Sequence, residues 1–166
     1  MLFRSPFVVN AQTSGTLPAP SLNCGSNGTT TVSAPVVHTV GTGNNNAANP
    51  SFLNGYYHDS RVLMVFSKND LSNAGASSGV IQNLGFNVTQ YNSSYPYQNF
   101  SIKIGCANSA NPSLPAGFVG GLTSVYGPVN FTPSLGWNSI NFTQGFDWDG
   151  QNGIYIEICY DDTIGS

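Results

Sequence analysis

The last third of the chain, Val125 to Asp162, constrains the fold most strongly because its residue types alternate in twos. Residues 137–144 place Trp, Ser, Asn and Thr at odd positions and Asn, Ile, Phe and Gln at even positions. Residues 154–159 place Ile at every even position, and the turn dipeptides Asp149-Gly150 and Asn152-Gly153 stand between the two segments. Period-two alternation bounded by such turns predicts two antiparallel strands, each with one buried face.

Composition extends this prediction to the whole chain. Charged residues are 7% of the 166 residues, against roughly 25% in a typical soluble protein, and Gly, Asn, Ser and Thr are abundant. Few helices are expected, because Lys, Glu, Arg and Gln usually fill exposed helical faces. Further strands are predicted at 36–40, 56–66, 80–90, 97–104 and 118–126. We therefore predict an all-β, antiparallel, jelly-roll-like β-sandwich of about seven or eight strands.

Two local features of the middle of the chain are also predicted. Ser67 or Asn69 can cap a short helix through Leu71–Ala74, which Gly75 would end. Gly85 indicates a bulge or kink within the strand at 80–90.

Charge and the distribution of apolar residues argue against nucleic acids and membranes as partners. The formal net charge is -3, and the four basic residues, Arg4, Arg61, Lys68 and Lys103, are scattered. A stripe of cations that could follow phosphates is therefore missing, and nucleic-acid binding is not expected. Since no run of about eighteen apolar residues occurs, membrane insertion is not expected either.

The N-terminal region divides into two predicted parts. Residues 1–11 contain Phe7-Val8-Val9 before small residues and resemble the remnant of a secretory signal, with an edge strand as the alternative. Residues 12–35 are rich in Ser, Thr, Gly and Pro and read as an arm or linker. The sandwich domain is predicted at 36–166, in a protein that is extracellular or on the cell surface.

Three cysteines bear on the redox state of the chain. An odd number leaves at least one of Cys24, Cys106 and Cys159 without an intramolecular partner. A disulfide between Cys24 and Cys106 is the pairing we predict, and three unpaired, partly buried thiols are the alternative. Without a Cys-x-x-Cys motif or a Cys/His cluster, a structural zinc site is not expected.

Several segments resemble a β-sandwich module found in large surface proteins of gliding, polymer-degrading bacteria. The first half of the resemblance is Asn54–Val88, with Tyr-Tyr, Arg, Ala-Gly and Phe-Asn-Val in order. The second half lies in Phe100–Gly105, Val125–Phe142, Trp148–Gly150 and Ile156–Asp162. The resemblance implies a non-catalytic part of a protein exported by the type nine secretion system. Because the family pattern continues for another strand or two, it also implies a domain truncated at its C-terminus.

An acidic turn is a candidate calcium site. Asp147, Asp149 and Asn152 offer oxygen ligands at spaced positions around a glycine, which resembles half of a calcium loop. The bidentate acid expected six residues after Asn152 is replaced by Ile158. A hairpin whose Asp and Asn side chains shape the turn is the alternative interpretation.

Aromatic residues are candidates for ligand contacts. Tyr91, Tyr95, Tyr97 and Trp148 fall in or beside predicted loops, where exposed rings can stack on sugars while neighbouring amides bind hydroxyl groups. Trp137, which begins a strand, is interpreted instead as a core or hairpin residue.

Catalysis is not expected. His58-Asp59-Ser60 suggests a hydrolase triad, but consecutive residues of a strand point to opposite faces and cannot form a relay. Glu157 is the only glutamate, and a glycosidase needs a second carboxyl group at a set separation. A glycan-active hydrolase using Glu157 is the least favoured interpretation.

The sequence thus predicts a non-catalytic adhesion or carbohydrate-binding module whose partner is a polysaccharide or surface glycan. The alternative is a structural subunit of a filament or surface layer that binds other copies of itself. In that alternative, residues 12–35 would exchange a strand between copies.

Overall fold

The computed structural model describes residues 7–11, 36–41, 53, 59–89 and 96–161. These residues contain eight strands and one short helix, which confirms the all-β class. The elements are β1 (Phe7–Ala11), β2 (Val36–Val40), β3 (Asp59–Phe66), α1 (Lys68–Asn73), β4 (Gly79–Val88), β5 (Tyr97–Cys106), β6 (Thr123–Phe131), β7 (Gly136–Trp148) and β8 (Ile154–Asp161).

The strands form two four-stranded sheets. Sheet A has the order β2-β1-β4-β7 and sheet B has the order β3-β8-β5-β6, with every neighbouring pair antiparallel. From β2 to β8 the chain changes sheet at every connection except the one between β5 and β6. Such repeated crossing between two packed sheets is the jelly-roll arrangement that the sequence predicts.

The first strand lies inside sheet A rather than outside the domain. β1 pairs with β2 and with β4, and Phe7 is the register partner of both Val40 and Phe86. The sandwich therefore includes Phe7–Ala11 as well as the predicted domain, and the signal-remnant interpretation of residues 1–11 stays a prediction. A short run rich in Val and Phe suits a strand, and β2 and β4 each offer an edge for it to pair with.

The core follows the predicted alternation. In β8, and in β5 from Phe100 to Ile104, every second residue is buried between the sheets, whereas an irregular register separates Tyr97 from Phe100. Burial of branched and aromatic side chains on one face supplies the main stabilising term of such a sandwich. The fully buried residues of these strands are Tyr97, Phe100, Ile102, Ile104, Ile154, Ile156 and Ile158.

Helix α1 closes the side of the sandwich between β2 and β3. Ser67 caps the helix: its Oγ accepts from the backbone N–H of Asp70, and the Asp70 carboxylate accepts from the backbone N–H of Ser67. This capping box confirms one of the two predicted caps. Leu71 is fully buried beneath the helix, and His38 Nδ1 of β2 lies 3.1 Å from the carbonyl oxygen of Ala74.

A bulge in β7 lies where this strand of sheet A contacts β6 of sheet B. Ile81 pairs with Phe146 and Asn83 with Asn141, so β7 places residues 142–145 opposite Gln82 alone. Within this bulge Thr143 Oγ1 and Gln144 Nε2 donate to backbone carbonyl oxygens of β6, over 3.0 Å and 2.7 Å. The bulge predicted at Gly85 is wrong, because Gly85 pairs regularly with Ser139.

Candidate functional site

Two of the four predicted ligand-binding aromatics belong to the core. Tyr97 is 1% exposed, and its ring centroid lies 4.6 Å from that of Tyr160. Trp148 is 3% exposed, and its Nε1 donates to the carbonyl oxygen of Asn152 over 2.7 Å. Both predictions are corrected, because a buried ring offers no face to a ligand. Tyr91 and Tyr95 lie outside the described residues.

Trp137 is predicted to be a core or hairpin residue, but it is 51% exposed on the outer face of sheet A. The turn before β7 fixes this orientation. Asn138 points inward, donates to the carbonyl oxygens of Ser134 and Gly136, and accepts from the backbone N–H of Ser134. Since neighbouring residues of a strand face opposite ways, the inward anchor at Asn138 directs Trp137 outward.

A strip of amide and hydroxyl groups runs along the same face from Trp137. Asn83 of β4 donates through Nδ2 to Asn141 Oδ1 over 2.6 Å and accepts from Ser139 Oγ over 3.0 Å. Asn83 is 4% exposed, whereas Ser139 and Asn141 are exposed. The buried amide therefore holds two exposed polar side chains in fixed positions.

The register of β4 and β7 defines the extent of this surface. Asn87 is exposed and lies opposite Trp137, while Gly85 lies opposite Ser139 and adds no side chain between the rows. Trp137 and Asn141 are four residues apart, which corresponds to about 13 Å along a strand. We call the surface formed by Trp137, Asn87, Ser139, Asn141 and Asn83 the Trp137 face. It contains no ionisable side chain.

The outer face of sheet B carries charges instead. Glu157 is 1% exposed and forms ion pairs with Arg61 over 2.8 Å and with Lys103 over 3.2 Å. Burial opposes ionisation of Glu157, but the hydrogen bonds from Arg61 and Lys103 outweigh it and lower the pKa of this carboxyl group. A glycosidase general acid needs a raised pKa, so the direction of this shift does not suit that role.

An exposed aromatic ring lies against the outer face of sheet B. The Arg61 guanidinium stands 4.1 Å from the ring centroid of Phe118, which is 52% exposed. Phe118, in the connection between β5 and β6, and Trp137 of β7 are thus equally exposed aromatic residues. Of the predicted hydrolase residues, His58 lies outside the described residues, and Asp59 is an exposed residue at the start of β3.

The turn proposed as a calcium site is organised by hydrogen bonds. Asp149 Oδ1 accepts from the backbone N–H groups of Gln151 and Asn152, and its Oδ2 accepts from Asn152 Nδ2. Partial burial raises the pKa of Asp149, but these hydrogen bonds outweigh that effect and lower it. The geometry favours the turn-shaping interpretation. Among the described residues no group of three His, Cys, Asp or Glu side chains could hold a metal ion.

The cysteines differ in state. Cys106 is disulfide-bonded and Cys159 is a free thiol. Cys24, the partner predicted for Cys106, is the remaining cysteine of the chain and lies outside the described residues.

Cys159 is expected to resist alkylation at neutral and mildly alkaline pH. Burial, together with the charge of Glu157 and a hydrogen bond to it, raises the pKa of the Cys159 thiol to about 11. Since the thiolate is the nucleophile, iodoacetamide labelling of Cys159, mapped by mass spectrometry, should be slow at pH 8 and rise toward pH 11.

The raised pKa of Cys159 also makes stability depend on pH. The contribution of the protonated Cys159 thiol to the free energy of unfolding is complete below about pH 8.5 and is lost as the pH rises through about 11.

Two comparisons sharpen this labelling experiment. Glu157→Gln removes the neighbouring negative charge and should move the labelling profile to lower pH. Protein unfolded in urea should label with an ordinary thiol profile. Equal labelling rates for folded and unfolded protein at pH 8 would contradict the environment described for Cys159.

Comparisons with family models, with curated proteins and with solved structures find no significant match to this chain. The described residues also include no helix of the length and apolar character that crossing a membrane requires.

Proposed function

We propose that this chain is a non-catalytic carbohydrate-binding module of a secreted or cell-surface protein and that the Trp137 face is its binding surface. The observation that carries the proposal is the exposed indole of Trp137 beside a strip of fixed amides and hydroxyls. An aromatic ring packs against the apolar face of a sugar, while amide and hydroxyl groups exchange hydrogen bonds with its hydroxyls.

Preorganisation of the strip supports binding. Ser139 and Asn141 each retain hydrogen-bonding capacity after their contacts with Asn83, because an amide has two donors and a hydroxyl can both donate and accept. Side chains already held in place lose less conformational entropy when a ligand arrives. The strip thus offers several directional groups at low entropic cost.

The absence of charge from the Trp137 face indicates the class of glycan. An anionic polysaccharide gains affinity from Lys and Arg, and none of the five residues of this face is basic. We therefore propose a neutral polysaccharide or neutral surface glycan as the ligand. Adhesion to a glycan-bearing surface is the corresponding biological role.

Two observations support a location outside the cell. The disulfide bond of Cys106 suits an oxidising compartment, where such bonds form and persist. The resemblance to modules of gliding bacteria points the same way and makes type nine secretion the proposed route of export.

Substitution of Trp137 tests the proposed surface. Retention of the full chain on a panel of neutral polysaccharides should fall about tenfold or more in Trp137→Ala, as expected for a central aromatic contact. Phe118→Ala is the matched control, because it removes an equally exposed ring that lies outside the Trp137 face, against Arg61 of sheet B. Retention of Phe118→Ala should equal that of the unchanged protein.

Two outcomes would overturn the proposal. Failure of every glycan in the panel to retain the unchanged protein would remove the function. Equal losses in Trp137→Ala and Phe118→Ala would remove the site. Parallel runs with calcium and with a chelator show whether an ion contributes, and the proposal expects identical retention in both.

A further inference from the structure

Strand β1 separates β2 from β4 in sheet A. All five residues of β1 pair with β2, and all five pair with β4, although one register shift interrupts the second ladder. No direct pairing of β2 with β4 is present among the described strands. Sheet A therefore contains a slot between β2 and β4 that a strand must fill.

The order of the other strands defines what the slot would accept. The chain crosses from sheet A to sheet B at β2–β3, β4–β5 and β7–β8, and crosses back at β3–β4 and β6–β7. In an eight-stranded jelly roll of this order, the strand after β8 would cross back to sheet A and lie between β2 and β4. In this chain a strand from the other end of the sequence holds that position.

The connection between β1 and β2 is much longer than pairing requires. Adjacent antiparallel strands need about two to five residues to connect them, whereas residues 12–35 number 24. The 12 residues before Cys24 in this segment can alone extend to about 40 Å, so a disulfide at Cys24 still leaves β1 that reach. The connection therefore does not oblige β1 to occupy the slot of its own chain.

We infer that β1 is an exchangeable strand and that β1 of a second copy of this chain fills the slot between β2 and β4. The backbone hydrogen bonds and register partners are the same whether the strand comes from the same chain or from another copy. Exchange of an identical element therefore costs little, and concentration shifts the balance toward linked copies. The exchanging element is Phe7–Ala11, rather than residues 12–35, the predicted exchange strand.

Cross-linking between two full-length copies tests this inference. One copy carries Asn10→Cys and the other carries Asn83→Cys, which are register partners in the β1–β4 ladder, both in a Cys159→Ser background. Opposed residues in such a ladder have Cα atoms about 4.5–5.5 Å apart, which suits a disulfide. The two copies carry tags of different size, are refolded together and are separated without reductant.

The expected result is a cross-linked species that contains one copy of each kind and increases with protein concentration. Replacing Asn83→Cys by Asn87→Cys is the matched control, because Asn87 has no register partner in β1, and this mixture should stay at monomer mass. A single chain carrying both Asn10→Cys and Asn83→Cys reports whether β1 reaches any slot.

Two results would overturn the inference. Closure of the double variant at monomer mass at every concentration, with no cross-link between mixed copies, would show that β1 stays in its own chain. Absence of both cross-links would show that β1 does not occupy the slot. Neither result depends on glycan binding, so failure of the exchange is distinguishable from failure of the Trp137 face.

Discussion

Gly127→Ala is expected to destabilise the protein by about 3–5 kcal/mol, which combines backbone strain with a steric overlap. Gly127 has a φ of +74°, a conformation that residues with a Cβ atom rarely adopt. A Cβ atom at this position would also overlap the carbonyl oxygen of Phe100 in the neighbouring strand. Because the overlapped group is backbone, it cannot move aside as a flexible side chain can.

Gly136 and Gly120 separate the effect of backbone strain from that of steric overlap. Gly136 has a φ of +91° but open space around its Cβ position, so Gly136→Ala should cost only about 1–2 kcal/mol. Gly120 has open space around its Cβ position and does not have a positive φ in the left-handed region, so Gly120→Ala should change stability by less than about 0.5 kcal/mol. Urea unfolding of the three variants measures the differences. Equal losses for Gly127→Ala and Gly136→Ala would contradict the close approach of β6 to β5.

Phe100→Ala is expected to cost about 3–5 kcal/mol, the range for removing a large aromatic side chain from a packed core. Phe100 is fully buried, its ring stacks on Phe131 with centroids 4.6 Å apart, and it meets the edge of Tyr126 at 6.3 Å. Its removal leaves a cavity between the sheets that backbone pairing prevents from collapsing.

Phe118→Ala provides the comparison for this core variant. It deletes the same side chain at an exposed position, where the main loss is the contact with Arg61, worth up to about 1 kcal/mol. Chemical denaturation should therefore separate the two variants by at least about 2 kcal/mol. Similar losses would show that Phe100 does not lie at the centre of the core.

Local periodicity predicts much of this fold because burial acts on every second residue of a strand. The alternation identifies Phe100, Ile102 and Ile104 as buried residues of β5 but not Tyr97, and Ser67 with Asp70 marks the start of the helix. The same alternation groups Trp137 with Ser139, on the outward phase of β7. The interpretation of Trp137 as a core or hairpin residue rested on its position at the start of a strand, which does not specify the face on which its side chain lies.

Other features are set by contacts between distant segments. β1 and β4 pair across about seventy residues of sequence, and nothing within Phe7–Ala11 specifies that partner. The bulge at 142–145 depends on the register of β7 against β4 and on the hydrogen bonds of Thr143 and Gln144 to β6, a separate segment of the sequence. The Trp137 face likewise depends on this register, which brings Asn83 to Ser139 and Asn141.

Fluorescence quenching tests the central claim most directly, because the chain has two tryptophans in opposite environments. In the free protein, acrylamide should quench exposed Trp137 strongly and buried Trp148 weakly. Addition of a polysaccharide that retains the protein should protect Trp137 from quenching, with no such change in Trp137→Ala. A glycan that binds while Trp137 remains fully accessible would contradict the assignment of the Trp137 face as the binding surface.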